Sequence, residues 1–418
     1  MFARTTCRVC AAPMRDVLSL GNIVPVDFIK PGETVREALP LTLAQCRGCG
    51  LVQLRHQFDV DSLFRQYWYR SAVNPTMVAA LKDVVTSVMA RVLLEANDVV
   101  VDIGANDGTL LDLYDESLFK VGVDPALNLA GAASGACDQF INDYFESPAH
   151  KIPKAKVITS IAMFYDLNTP RIFVQKIVET LRPDGIWVMQ MTDLVRMLQA
   201  TAVDNICHEH VCYYSLAVFR DLVADHGLEV FDVEFNDVNG ASVRCYIANH
   251  GAYPVRPSVA QALAEEADYL GDNAILQFSQ RVERSKRAIV RFVRSQIAAG
   301  KTIHALGAST KGNTLLQYFG LGRAEIPLAA EVSHQKFGLV MAGSDVPIVS
   351  QEESLAQHPD YYLVLPWHFI DFLVGKHQEY LISGGAMIAP LPAPVKYTVT
   401  PLHPSGYAIV KDELAPDV

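Results

Sequence analysis

Two cysteine pairs, Cys7-Arg8-Val9-Cys10 and Cys46-Arg47-Gly48-Cys49, open a chain of 418 residues. Two residues between sulfurs let one tight turn bring both thiolates to a single ion. Two such turns complete a tetrahedral shell that suits zinc. Four sulfurs leave no coordination position for water, so the expected role is structural. A redox CxxC would need one pair in a βαβ setting, which is missing here. The same ligands would also suit an iron–sulfur cluster, or be two unrelated pairs of buried thiols. Far downstream, Cys207-His208-Glu209-His210 gathers a thiol, two imidazoles and a carboxylate. Imidazole titrates near neutral pH, which makes His210 the candidate base. The alternative is a polar loop ahead of a helix beginning near Ser215. A His-x-His metal site would need a third ligand nearby.

The third chemical feature is Asp102-x-Gly104-x-Asn106-x-Gly108, directly after the apolar run Val99-Val100-Val101. A glycine turn between a strand and a helix lets a ligand approach the backbone and exposes free N–H groups. The middle glycine of the dinucleotide fingerprint is missing. Instead a second acid, Asp124, closes the next expected strand. Asp124 is placed to grip a ribose diol, and Asp102 or its neighbour to meet a charged amino-acid tail. Asn142-Asp143-Tyr144-Phe145 follows a third strand, where it would border an adenine. These features fit S-adenosylmethionine; a turn that needs glycine for shape alone is the other reading.

The elements that must position these groups alternate. A helix is expected over 76–95. Strands are expected over 98–103, 120–123, 139–142, 157–161 and 186–190, with helices over 110–114, 127–134 and 170–181. That order implies a doubly wound parallel sheet. Residues 258–300 have helical periodicity. A fresh strand over 302–306 leads into Gly307-Ala308-Ser309-Thr310-Lys311-Gly312-Asn313, which lacks the spacing of a phosphate-binding Walker loop. Lys311 there, Lys336 and Arg244 are each placed either to meet a diphosphate or to serve the fold. Further strands are expected over 326–331, 361–365 and 385–389, and the Pro-rich tail after Tyr397 is expected to pack loosely.

Composition narrows the partners. With 35 basic and 46 acidic residues the net charge is −11, which argues against nucleic acid. The start lacks the apolar stretch of a signal peptide, and no apolar run is long enough to span a bilayer. Cys137, Cys207, Cys212 and Cys245 show no disulfide spacing, so a reducing cytoplasm is expected.

Taken together, the paired CxxC motifs, Tyr67-Trp68-Tyr69-Arg70-Ser71, Asp102–Leu111 and Cys207-His208-Glu209-His210-Val211-Cys212-Tyr213-Tyr214-Ser215 resemble the sugar-nucleotide C-methyltransferases. Asn239–Arg244, Gly307–Asn313 and Gly384-Gly385 extend the likeness over nearly the whole chain. The resemblance implies an α/β protein with a central Rossmann-like SAM-dependent methyltransferase domain (67–255). A small zinc module (1–66) and a C-terminal α/β domain (256–418) would flank it, the latter helping to bind the nucleotide sugar. It implies methylation at C-3 of a nucleotide-linked 4-keto deoxysugar. Tyr69, Glu209 and His210 match the family's active site, whereas Cys207 and Tyr165 stand where it carries tyrosine and histidine. His208, Tyr69 and Tyr165 are the candidates to hydrogen-bond a developing oxyanion, and Lys311, Asn313, Lys336 and Arg244 to hold the substrate. Oxygen or nitrogen transfer, or a non-catalytic binder of SAM or a sugar nucleotide, are the competing expectations. The oligomeric state is left open.

Overall fold

The computed structural model describes residues 1–238, 241–271, 273–402 and 406–414. Asn239 and Gly240 of the Asn239–Arg244 motif lie outside them. The chain divides into two compact units. The first comprises Met1–Arg15, Ala44–Arg196 and Glu209–Gly271; the second comprises Asp16–Leu43, Met197–His208 and Asp272–Val418.

The first unit is built on a seven-stranded sheet. Its strands are β1 (Val99–Ile103), β2 (Phe119–Val123), β3 (Gln139–Ile141), β4 (Ala155–Ile161), β5 (Leu181–Thr192), β6 (Leu228–Asn236) and β7 (Ser242–Asn249), in the order β6-β7-β5-β4-β1-β2-β3. β1 to β5 pair in parallel, and β7 runs antiparallel between β5 and β6. β1 forms because a run of β-branched residues suits a strand buried on both faces. The sheet reverses its winding between β1 and β4. At such a switch point the connections diverge and leave a crevice outside the carboxyl ends of the strands.

Helix α1 (Pro75–Met89) starts where the Asn74 side chain accepts from Thr76 N and Pro75 occupies the first turn. It ends six residues before the expected Glu95. Its Val84 and Val88 pack with Val100, Val157, Val188 and Tyr246. α2 (Thr109–Asp112) follows the glycine turn, α3 (Pro170–Thr180) connects β4 to β5, and α4 (Leu216–Ala224) is capped by Ser215. Beneath the carboxyl end of β4 lies an aromatic cluster. The Phe164 ring stands 5.2–5.7 Å from those of Phe173, Trp187, Tyr214 and Phe219. Phe145 joins it, 5.1 Å from Phe173 and buried. It is a core residue and presents no face to an adenine, contrary to expectation. Residues 258–300 resolve into two helices, α5 (Pro257–Tyr269) in the first unit and α6 (Ala274–Ala298) in the second.

The second unit has its own sheet. Parallel strands β8 (Ile303–Leu306), β9 (Ala329–Glu331), β11 (Val346–Ser350), β12 (Tyr361–Val364) and β13 (Ala386–Ala389) lie in the order β13-β12-β8-β9-β11. On one side β10 (Val340–Met341) runs antiparallel to β11 and to Phe28–Ile29. Residues 16–43 belong here for that reason and because Val24 bonds through both N and O to the Gln317 side chain. On the other side β14 (Val395–Pro401) and β15 (Tyr407–Glu413) form an antiparallel hairpin. The tail after Tyr397 is thus a sheet edge and not a loose end. Val395, Thr398, Val399 and Thr400 favour a strand, and Pro401 stands only at its end.

Replacing Phe164 by Ala empties the centre of the aromatic cluster. The expected loss is about 3–5 kcal/mol, read from the urea midpoint at unchanged m-value.

Candidate functional site

The glycine turn after β1 is held from three sides. Gly104 (φ +74°) and Gly108 (φ +85°) adopt left-handed backbone, as does Asn106 (φ +54°). A Cβ on Gly108 would stand 2.6 Å from that of Ala136, so the turn needs glycine there. Gly104 N and Ala105 N donate to Val123 O. Asp124 closes β2, where its carboxylate accepts from Asn106 N and Ala126 N, each at 2.8 Å. Burial raises the Asp124 pKa. The Asn106 amide reaches the other way. It accepts from Ser71 N and donates to Tyr69 O, both at 3.0 Å, while Asp107 accepts from Ala72 N at 2.9 Å. The turn therefore carries the Tyr69 loop, with the Tyr69 side chain 39% exposed.

Asp102 lies beneath the turn. It is buried, accepts from Thr159 Oγ1 at 2.5 Å, and burial pushes it up to about 7. Asp143 and Tyr144 sit at the carboxyl end of β3. Asp143 lies 3.2 Å from His150 Nε2, Tyr144 O–H donates to Asp61, and Arg65 covers the Tyr144 ring.

The segment after β4 faces the same turn. Ala162 takes a left-handed φ of +56°, and a Cβ on Gly104 would stand 3.0 Å from Met163 Cγ. The short 3-10 turn Phe164–Asp166 then anchors Phe164 in the aromatic cluster and presents Tyr165 and Asp166. The Tyr165 ring packs against His210, with centroids 4.2 Å apart. Glu209 is pushed up to about 7 by burial. Asp166 is raised well above the carboxylate range by burial and then by the Glu209 charge, and its Oδ1 has no hydrogen-bond partner among the described residues. Asp166 was missed in the sequence. Its only signal was an acid next to Tyr165 in a segment otherwise apolar. Phenol, imidazole and a carboxyl that holds its proton to about pH 7 can together accept a proton and return it.

Cys207 and His208 belong to the second unit, where both are buried and His208 Nε2 lies 3.3 Å from Leu39 O. In that unit Gly307 (φ +86°) and the Ser309 cap open α7 (Thr310–Phe319). Lys311, in its first turn, is lowered by burial and held up by Asp204. His368 is pushed down to about 4 by burial and by the Lys311 charge, and Asp204 accepts from Trp367 Nε1 at 3.0 Å. Three expected substrate contacts serve the fold instead. Asn313 is fully buried between Ala342 O and Ser344 Oγ. Lys336 Nζ donates to Ala308 O at 2.8 Å and lies over the Phe28 ring. Arg244 is not in a turn: it is buried in β7 of the first unit, bonded to Gln190, Ser87 and Asp83.

The four N-terminal sulfurs lie within 4.8 Å of one another. Cys7 and Cys49 are 3.7 Å apart, Cys10 and Cys46 3.3 Å. Val9 N and Gln53 Nε2 donate to Cys7 Sγ, and Gly48 N and Cys49 N to Cys46 Sγ, all of which favour thiolate. A Cβ on Gly48 would stand 2.8 Å from that of Ala12, so the second knuckle needs its glycine. This donor set fits a structural zinc ion.

Comparison with known proteins follows the same division. Family models match for a zinc binding domain over residues 7–64, a methyltransferase domain over 77–233 and a C-methyltransferase C-terminal domain over 237–392. The C-methyltransferase NovU of Streptomyces niveus is 34% identical over 404 residues, 93% of this chain and 96% of that protein. Among solved structures, magnesium protoporphyrin IX methyltransferase from Synechocystis with bound SAM is 11% identical. It covers 41% of this chain and 79% of that chain, with a TM-score of 0.33. N-methyltransferase NodS from Bradyrhizobium japonicum is 12% identical, covers 42% of this chain and 97% of that chain, and has a TM-score of 0.34. The doubly wound sheet and the matched domain define a SAM-dependent methyltransferase. Within that class, the chain belongs to the C-methyltransferase family that joins a zinc-binding N-terminal domain to a characteristic C-terminal one.

The Glu209 carboxyl gives a pH test. Because its folded pKa is raised, the native state holds this proton longer than the unfolded chain does. Its contribution to stability is full below about 4.5 and is lost as pH rises through about 7. Replacing Glu209 by Gln is expected to flatten that part of the stability profile. Urea midpoints at pH 5 and pH 8 should differ less for the variant than for the parent.

Proposed function

We propose that this enzyme methylates a carbon of a nucleotide-linked keto-deoxysugar. The observation that carries the reading is the Tyr165–His210 pair beside the Gly104 turn. On this reading His210 would be the proton acceptor and Tyr165 the phenol donor, near the crevice where the sheet reverses its winding. SAM, when bound, supplies an electrophilic methyl group on a sulfonium; Asp124 and the Gly104–Gly108 turn would hold it, with Asp143 and Tyr144 on the adenosine side. Asp102, buried against Thr159, would support this turn from below.

His210 takes the proton from the C–H beside the ketone, and the electron pair of that bond becomes the enolate. Tyr165, with Tyr69 on its loop, hydrogen-bonds the enolate oxygen as charge gathers there. The enolate carbon held there would be the nucleophile for the methyl group that bound SAM would supply. Glu209 orients the imidazole or a sugar hydroxyl, and Asp166, raised by burial and by the Glu209 charge, stands beside it. Lys311, lowered by burial and held up by Asp204, would meet the diphosphate. Cys207 and His208 are assigned no role in the chemistry. Among the described residues no helix is long and apolar enough to cross a membrane. The four cysteines outside the CxxC pairs lack disulfide spacing, which fits a reducing cytoplasm.

Replacing His210 by Asn is expected to lower turnover by roughly 10²–10⁴-fold with SAM affinity unchanged in a calorimetric titration. The parent should exchange the acidic C–H of keto-sugar nucleotides with deuterated water before transfer, and the variant should not. Methyl transfer without any such exchange, with the product methylated at oxygen, would overturn the carbon assignment.

A further inference from the structure

Among the buried cations that the functional reading leaves unused, Arg8 is the one next to a metal-binding cysteine. Arg8 is the second residue of the first CxxC turn, a place where solvent exposure is the ordinary outcome, yet it is 6% exposed. Its guanidinium is spread over two segments, 53–56 and the loop at Asn168. Nη1 donates to Leu54 O at 2.7 Å and to Gln53 Oε1 at 3.3 Å, Nη2 to His56 O at 3.0 Å, and Nε to Asn168 Oδ1 at 3.3 Å. Gln53 in turn donates to Cys7 Sγ at 3.2 Å.

Its contacts with Asn168 and with Gln53 and Leu54 lead to the two arms of the Tyr165–His210 pair. Asn168 stands two residues past Asp166. Leu54 N donates to Val211 O, directly after His210, and the strand Val52–Leu54 pairs with Cys212–Tyr213. The Cys212 thiol points at Leu167 O, joining the two arms to each other. The acceptors of Arg8 are all carbonyl and amide oxygens, so its charge needs another source of compensation. Four thiolates around a divalent ion carry a net charge of about −2, and Cys7 is one of them.

We propose that Arg8 is a positioning residue. It fixes the 164–168 turn and the 209–213 segment to the metal knuckle, and the filled thiolate shell is the counter-charge that keeps it there. The zinc module thereby sets the geometry of the proton-handling groups as well as folding its own segment. The functional part of this inference rests on the role proposed for His210; its structural part does not.

The test uses the full chain loaded with zinc. Arg8→Met is expected to keep its zinc and its SAM affinity. Amide hydrogen exchange across 164–168 and 209–213 should quicken by roughly tenfold or more, as loss of hydrogen bonds from a charged donor implies. Turnover should fall about 10–100-fold, the usual cost of losing a residue that supports metal ligands. The fall should appear in kcat more than in KM, and Arg8→Lys should recover part of it. Asn168→Ala, a partly exposed position, should quicken exchange in 164–168 alone. Unchanged exchange in both segments of Arg8→Met overturns the proposal. Should that variant fail to fold, unchanged exchange in Asn168→Ala does so. A failure of the His210 reading would show in turnover while leaving these exchange results intact.

Discussion

The first unit depends on a clamp at the turn after β1. Asn106 holds the backbone of Tyr69 and Ser71 with its amide, while its own N–H is held by Asp124. Two side chains thus tie together the end of β1, the end of β2 and the loop entering α1. The left-handed backbone at Gly104, Asn106 and Gly108 is the conformational cost of that arrangement. It leaves the turn's outer face free for a ligand, because the inner bonds are already made by protein groups.

The second unit repeats the device with different atoms. Gly307 turns after β8, and Glu331 at the end of β9 accepts from Ala308 N at 3.0 Å, as Asp124 does from Asn106 N. A strand, a glycine turn and an acid on the neighbouring strand make a stable unit wherever they occur. Such a pattern shows a built turn; which turn takes a nucleoside has to be argued from the groups around it. Lys336 bonded to Ala308 O makes the second turn self-contained on one side.

Much of this was legible in the residues. The CxxC pairs were readable because metal geometry fixes their spacing. β1 and its turn were readable because Val99–Ile103 can hardly be anything but a buried strand, and glycines mark its end. Glu209 and His210 were singled out by residue type, and the structure brings His210 to Tyr165. The failures share a cause: sequence gives a side chain's chemistry and not its partner. Asn313 and Lys336 look like ligand-binding groups in a polar turn, and only packing shows that Ala342 O, Ser344 and Ala308 O already use them. Phe145 was one residue away from a surface position and lies in the aromatic cluster. Arg244 was a candidate for a diphosphate by its charge, whereas the antiparallel β7 carries it inward. Asp166 was overlooked because nothing in one sequence distinguishes an acid whose pKa burial raises from one that water solvates.

The division of the chain has a consequence for how the molecule is made. Residues 16–43 and 197–208 are interleaved with segments of the first unit, yet they complete the second. Val24 waits for Gln317, which lies 293 positions later. During synthesis the early β-segment must therefore emerge from the ribosome and persist without its partner strand until most of the polypeptide exists. Gene truncations that aim to isolate the catalytic middle will leave such orphaned segments behind, and a split at any single peptide bond between residues 44 and 317 severs Val24 from its partner.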